Sequence, residues 1–366
     1  MVRITKNQSV TMDSLRGISA IIVMFAHVFQ LYLAPLNSKA FYYVGLISQS
    51  SVMLFFILSG ILIGVSVQNN MSRNFGKLNY ADYFKHRFIR IYPPLVFALI
   101  LTAIMSFIVT YVLMDESGFK TPHVFAKNYS FIFNPMEYIS TLTFTNNFTA
   151  NQIASNAVLW SLPFEVWFYV LAAVIMTRNL ISILLAFSFI LLLQDVNIKT
   201  LFYASIWFTS FFASFIVFDK NKNNNLYRIL HAALIFMFAY FVYQNNFSLI
   251  KPNHSLNLYC SIGVVMIFFV CYAIRMNISL NLFEKSSEFS YTLYLTHFPI
   301  LFFVMYLSWY FDLKGLYSVV ILSILAPILC ILFAKFSASF CENKRWVSDL
   351  VGVKMSEVKD GITERF

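Results

Sequence analysis

Ionisable residues in or beside long apolar runs are costly and mark candidate functional sites. In this 366-residue chain Asp13, Arg16, His27, Arg87, Arg90, Glu165 and His297 stand out. His27 follows Arg16 by eleven positions in the run 12–33. At 100° per residue that is about 20° of net rotation and roughly 16 Å of rise, so the two share a helix face. Asp13 stands one turn before Arg16 on nearly the same face. The stripe leads from an ion pair to an imidazole deep in an apolar helix. A near-neutral imidazole there can accept a hydroxyl proton or act as a nucleophile. Snorkelling by Arg16 and simple packing of His27 are the bland alternatives.

Four further constellations matter. Arg87 and Arg90 are one turn apart in YFKHRFIRIYPP, with Lys85 and His86 beside them, Tyr92 at the interface and Pro93-Pro94 opening the apolar run. Paired guanidinium groups at a membrane surface suit a phosphate-rich ligand or anionic lipid, and also serve as topology anchors. Glu165 follows Ser161 by four in LWSLPFEVWFY, which also holds Trp160. A carboxylate in such a segment needs a partner or a proton, and its helix is expected to bring it level with His27. Ser59-Gly60 in LFFILSG fits close helix packing as well as a site. His297 in SYTLYLTHFP is an intramembrane histidine in the inner half of its helix, equally compatible with packing and function. The four cysteines, Cys260, Cys271, Cys330 and Cys341, lack metal-ligand spacing and read as small core hydrophobes. No metal is expected.

The elements that position these residues are membrane helices. Hydrophobic residues make up 59% of the chain and charged ones 11%, a balance that a water-exposed surface does not tolerate. Apolar runs near the spanning length fall at 12–33, 44–67, 93–114, 157–177, 180–194, 200–218, 229–244, 256–274, 289–311 and 316–341. The spacing thus predicts an all-α bundle of about ten transmembrane helices; the run at 180–194 is short. With a cytoplasmic N-terminus, nineteen Lys and Arg fall on the inner side and six on the outer, Arg16 lying within the first helix. Both termini are therefore expected in the cytoplasm, 115–156 outside and 219–228 inside. This bias accounts for the net charge of +10 without nucleic acid. The start lacks a cleavable signal and reads as a retained helix. Residues 1–345 form the membrane domain and 346–366 a short cytoplasmic tail.

The segments MDSLRGISAIIVMFAHVF, LFFILSG, HRFIRIYPP, LWSLPFEVWFY and SYTLYLTHFP together resemble, in order, the acyltransferase-3 family of bacterial integral membrane O-acyltransferases. Its hallmark, an arginine followed eleven residues later by a histidine, is matched by Arg16 and His27. Pro163, between Ser161 and Glu165, departs slightly from the family pattern but is tolerated in a first helical turn. The resemblance implies about ten helices in a bacterial inner membrane and transfer of an acyl group, usually acetyl from cytoplasmic acetyl-CoA, to a sugar hydroxyl of a cell-surface glycan. Lipopolysaccharide O-antigen and exopolysaccharide are such acceptors, and short loops favour a lipid-linked glycan held near the bilayer. Some relatives carry a fused extracytoplasmic domain; none is expected here.

On that reading Arg87 and Arg90 hold the CoA phosphates, with Ser59 and Tyr92 on the donor side. Arg16 guides the pantetheine arm or the thioester, and His27 is general base or nucleophile. Glu165 fixes the His27 tautomer, and Asp13, Trp160, Ser161 and His297 support the site. The expected partners are acetyl-CoA, a glycan acceptor and membrane lipid, with no permanently bound cofactor. A secondary transporter of an acyl donor or glycan intermediate shares the intramembrane charges but not the covalent turnover.

Overall fold

The computed structural model describes residues 1–34, 38–115, 129–177, 179–196, 199–218, 224–244, 256–313 and 315–343. The tail 346–366, residues 116–128 and residues 219–223 lie outside these. The helices in chain order are α1 (Lys6–Val28), α2 (Ser38–Arg73), α3 (Tyr80–Phe107), α4 (Pro135–Leu142), α5 (Leu162–Ile175), α6 (Leu180–Val196), α7 (Lys199–Val217), α8 (Asn224–Gln244), α9 (Leu256–Arg275), α10 (Ser290–Tyr310) and α11 (Leu316–Cys341). Single π-helical stretches, Phe29–Leu33 and Ile108–Val112, extend α1 and α3. Among the described residues nine helices are long and apolar enough to cross a bilayer, and the apolar helix Leu180–Leu192 is shorter. It corresponds to the short run at 180–194.

Local chemistry sets the helix starts. Thr5 caps α1 in a capping box with Gln8. Asn79 caps α3, and Asn70 fastens the α2–α3 turn by accepting from Asn79 N (2.8 Å) and donating to Asp82 (3.0 Å). This turn fixes the register of α3, so Arg87 and Arg90 ride on the membrane helix itself. Pro93 and Pro94, which open the apolar run, lie inside that helix. Gly60 lets α2 and α7 approach: a Cβ there would meet the Trp207 carbonyl at 2.5 Å.

The segment 129–156 departs from the expected outer loop. Phe131, Ser140, Thr141, Asn146, Ser155 and Asn156 are buried. Tyr92 on α3 donates to the Leu142 carbonyl (3.1 Å), and Trp167 on α5 donates to that of Phe144 (2.9 Å). Asn156 donates to Thr102 (3.2 Å) and to the Leu295 carbonyl (3.0 Å). The chain therefore dips along α3 into the bundle and returns before α5. Irregular backbone at such depth is stable only where protein groups satisfy it, and the asparagines do so.

Candidate active site

A cleft opens between α1, α2, α3, α5 and α10. Along α2 its wall runs from Val52 and Phe55 to Ser59 and Ile63, eleven positions or roughly 16 Å of helix. Arg16, Arg87 and Arg90 line it, as do Glu165, Ser161, Tyr169, Tyr291 and Tyr294. Periodicity explains this convergence. Arg87 and Arg90 are one turn apart on α3, and Ser161 and Glu165 one turn apart at the start of α5.

The charged end is tightly braced. Arg16 pairs with Asp13 at 3.2 Å, both largely buried, and Ser9 donates to Asp13 (3.4 Å). Arg87 donates to Ser66 and lies over the rings of Tyr83 (5.5 Å) and Tyr169 (6.0 Å). Its buried Nε has no hydrogen-bond partner among the described residues. Arg90 is half-buried, within electrostatic reach of Arg16, Arg87 and Glu342.

Glu165 accepts from Ser59 (2.9 Å) and from Tyr169, and lies within electrostatic reach of Arg87. Ser59 also takes a hydrogen bond from Trp207 Nε1 (3.2 Å). So Ser59 serves the cleft while its neighbour Gly60 serves packing.

His27 has a different partner from the one expected. Its Nδ1 lies 3.0 Å from Nε2 of His297, with ring centroids 5.1 Å apart. His297 is fully buried, and its Nδ1 lies 2.9 Å from the Leu293 carbonyl. A carbonyl only accepts, so His297 Nδ1 carries its proton and Nε2 holds a lone pair. His27 Nδ1–H therefore donates to that lone pair, and His27 Nε2 is left unprotonated. His27 also bonds the Val23 backbone one turn back, so its ring is oriented by His297 and by its own helix, not by Glu165. Glu165 instead takes hydrogen bonds from Ser59 and Tyr169 and lies within electrostatic reach of Tyr294, on the turn before His297. His297 is the eighth of the 21 residues of α10, in the first half of the helix.

Five residues assigned to the site from sequence, Asp13, His27, Tyr92, Trp160 and His297, lie outside the cleft wall, and two of them face elsewhere. Tyr92 stacks on Phe88 (4.3 Å) and packs edge-on against Phe144 (5.3 Å), facing the re-entrant segment rather than a donor. Trp160 packs against Tyr203 (5.4 Å) and Phe164 (6.1 Å), and its carbonyl accepts from Asn147 (2.8 Å). Sequence reasoning missed Tyr169, Tyr291, Tyr294 and Glu342. The tyrosines were readable as i+4 from Glu165 and as flanks of His297. Glu342, at the end of α11, accepts from the Thr292 backbone N–H (2.9 Å) and hydroxyl (2.6 Å). Burial pushes its carboxyl above the usual range, against the Thr292 hydrogen bonds and the charges of Arg90 and Arg16.

Fold and site define a multi-pass membrane protein with a cationic cleft that ends near a hydrogen-bonded histidine pair. The family described as "Acyltransferase domain" matches residues 10–335, and the chain belongs to this acyltransferase-3 family: it is a membrane acyltransferase. No curated protein and no solved structure matches it.

Proposed function

We propose that the protein moves an acetyl group from cytoplasmic acetyl-CoA to a sugar hydroxyl of a cell-surface glycan, such as lipopolysaccharide O-antigen or exopolysaccharide, in a bacterial inner membrane. One observation carries this reading. A single cleft offers three arginines along its wall, and its aromatic end abuts His297, the partner of His27. Acetyl-CoA has the matching shape, a polyanionic head joined by a long arm to a thioester.

Arg87 and Arg90 hold the phosphates through charge-assisted hydrogen bonds. Arg16, anchored by Asp13, lines the path of the arm. Glu165, with Ser59 and Tyr169, keeps the guanidinium of Arg87 in place by charge. At the far end His27 Nε2 takes the proton of the sugar hydroxyl as its oxygen attacks the thioester carbon. The carbon–sulfur bond breaks, and the imidazolium of His27 returns the proton to the departing thiolate. His297 holds the ring so that Nε2, not Nδ1, faces the reactants, and its lone pair stabilises the imidazolium Nδ1–H.

The test is label transfer from radiolabelled acetyl-CoA into envelope glycan, in membranes with and without the protein. Protein-dependent label in base-labile ester linkage supports the proposal. No label above background, in membranes that retain the folded protein, refutes it.

A further inference from the structure

The cleft and the histidine pair are close but not continuous. Neither His27 nor His297 belongs to the cleft wall. Tyr294 does, and its ring touches both compartments: Phe55 of the cleft lies 5.5 Å from it and His297 lies 6.1 Å from it, centroid to centroid. Tyr294 is largely buried. Its hydroxyl shares a hydrogen bond with Ser161 at 2.8 Å, and both hydroxyls reach the Val158 carbonyl, at 3.3 and 3.4 Å.

The seat of this latch is firm. Ser161 ends the 3-10 turn Ala157–Ser161. Two asparagines of the re-entrant segment grip that turn: Asn146 donates to the Leu159 carbonyl (3.2 Å) and Asn147 to the Trp160 carbonyl (2.8 Å). Asn156 ties it to α10 at Leu295, the residue after Tyr294. The Tyr294 hydroxyl is held by hydrogen bonds between uncharged groups, the weaker kind, and its ring by packing against Phe55 and His297. Rotation of the Tyr294 side chain breaks them without exposing a buried charge.

We propose that Tyr294, latched to Ser161, is the selectivity residue of the acyl passage. It decides how large an acyl group reaches His27, and its latch keeps water from the thioester until the ring swings aside. This rests on the reading of the cleft as the donor site. The re-entrant segment acquires a function on this account, since it sets the position of the latch. The side reaction that the latch suppresses is hydrolysis: water adds to the thioester carbon, the carbon–sulfur bond breaks, and free carboxylic acid and CoA thiol result.

The experiment uses the full-length protein in detergent, with acetyl-CoA and butyryl-CoA as probes and no acceptor. Thiol release is measured for wild type, Ser161→Ala, Tyr294→Phe and Tyr294→Ala, and binding of CoA itself is measured in parallel. Loss of the latch in Ser161→Ala and Tyr294→Phe is expected to raise acetyl-CoA hydrolysis several-fold. Loss of the ring in Tyr294→Ala is expected to raise the butyryl-to-acetyl ratio at least ten-fold. CoA, which lacks the acyl group, should bind all of them within a few-fold. CoA binding with an unchanged acyl ratio in Tyr294→Ala overturns the proposal. If that variant does not fold, unchanged hydrolysis in both other variants overturns it. Failure of wild type to bind CoA is a different result: it removes the donor reading, and this proposal with it.

Discussion

The two ends of the cleft are built on opposite principles. The arginine end is built from guanidinium groups with carboxyl partners, Asp13 bonded to Arg16, and Glu165 and Glu342 within electrostatic reach of Arg87 and Arg90. The histidine end is ordered by uncharged groups: a backbone carbonyl orients His297, and His297 orients His27. The difference separates two roles. Fixed charge recognises an anionic ligand at any working pH, whereas a neutral imidazole chain can take up and return a proton. Substitutions at the arginine end should therefore act mainly on the donor KM, and those at the histidine end mainly on kcat.

His297→Ala should have the largest effect of the variants around His27. Without its lone pair the His27 ring keeps only the Val23 backbone bond, and transfer should fall by roughly 10²-fold with donor KM little changed. Gln at 297 offers an acceptor oxygen and should recover part of the loss. Equal loss in both variants would reduce His297 to packing. A kcat–KM comparison in membranes decides it.

Arg87→Ala and Arg90→Ala come next. Each should raise the acetyl-CoA KM by roughly ten- to a hundred-fold, the range of one lost charge-assisted hydrogen bond. If kcat falls instead while KM holds, the division of labour between the two ends is wrong. Glu165→Gln should cost less, about three- to ten-fold, because it retains oxygen for Ser59 and Tyr169 and loses only the charge near Arg87. A loss as large as that of His297→Ala would restore Glu165 to the histidine. Tyr92→Phe is the smallest: it removes one half-exposed hydrogen bond to Leu142, and acetyl-CoA KM should stay within about two-fold. A donor-binding defect there would return Tyr92 to the cleft.

The sequence made one end far more legible than the other, for a physical reason. Helical periodicity alone puts Asp13 with Arg16, Arg87 with Arg90, and Ser161 with Glu165, so those groupings needed no knowledge of packing. The pairing of His27 with His297 spans 270 positions and depends on which helix faces meet, which spacing within a helix does not encode. Glu165 was misassigned for the same reason: its partner Ser59 lies on another helix. The re-entrant course of 129–156 was hidden by composition, because a polar stretch reads as a surface loop until its asparagines find buried carbonyls. Tyr92 was misplaced because the segment that covers it, 129–156, is distant in sequence: its ring meets Phe144 and its hydroxyl the Leu142 carbonyl.

The central claim is that His27 is the proton-accepting residue of acyl transfer, and His27→Asn tests it most directly. Asn at this position keeps polarity and a hydrogen-bond donor for His297 but has no basic nitrogen. Transfer of radiolabelled acetyl from acetyl-CoA to envelope glycan should fall by at least about 10²-fold, while the protein inserts normally and binds CoA as wild type does. Near-normal glycan labelling by His27→Asn would contradict the account and leave the histidine pair a packing feature of the bundle.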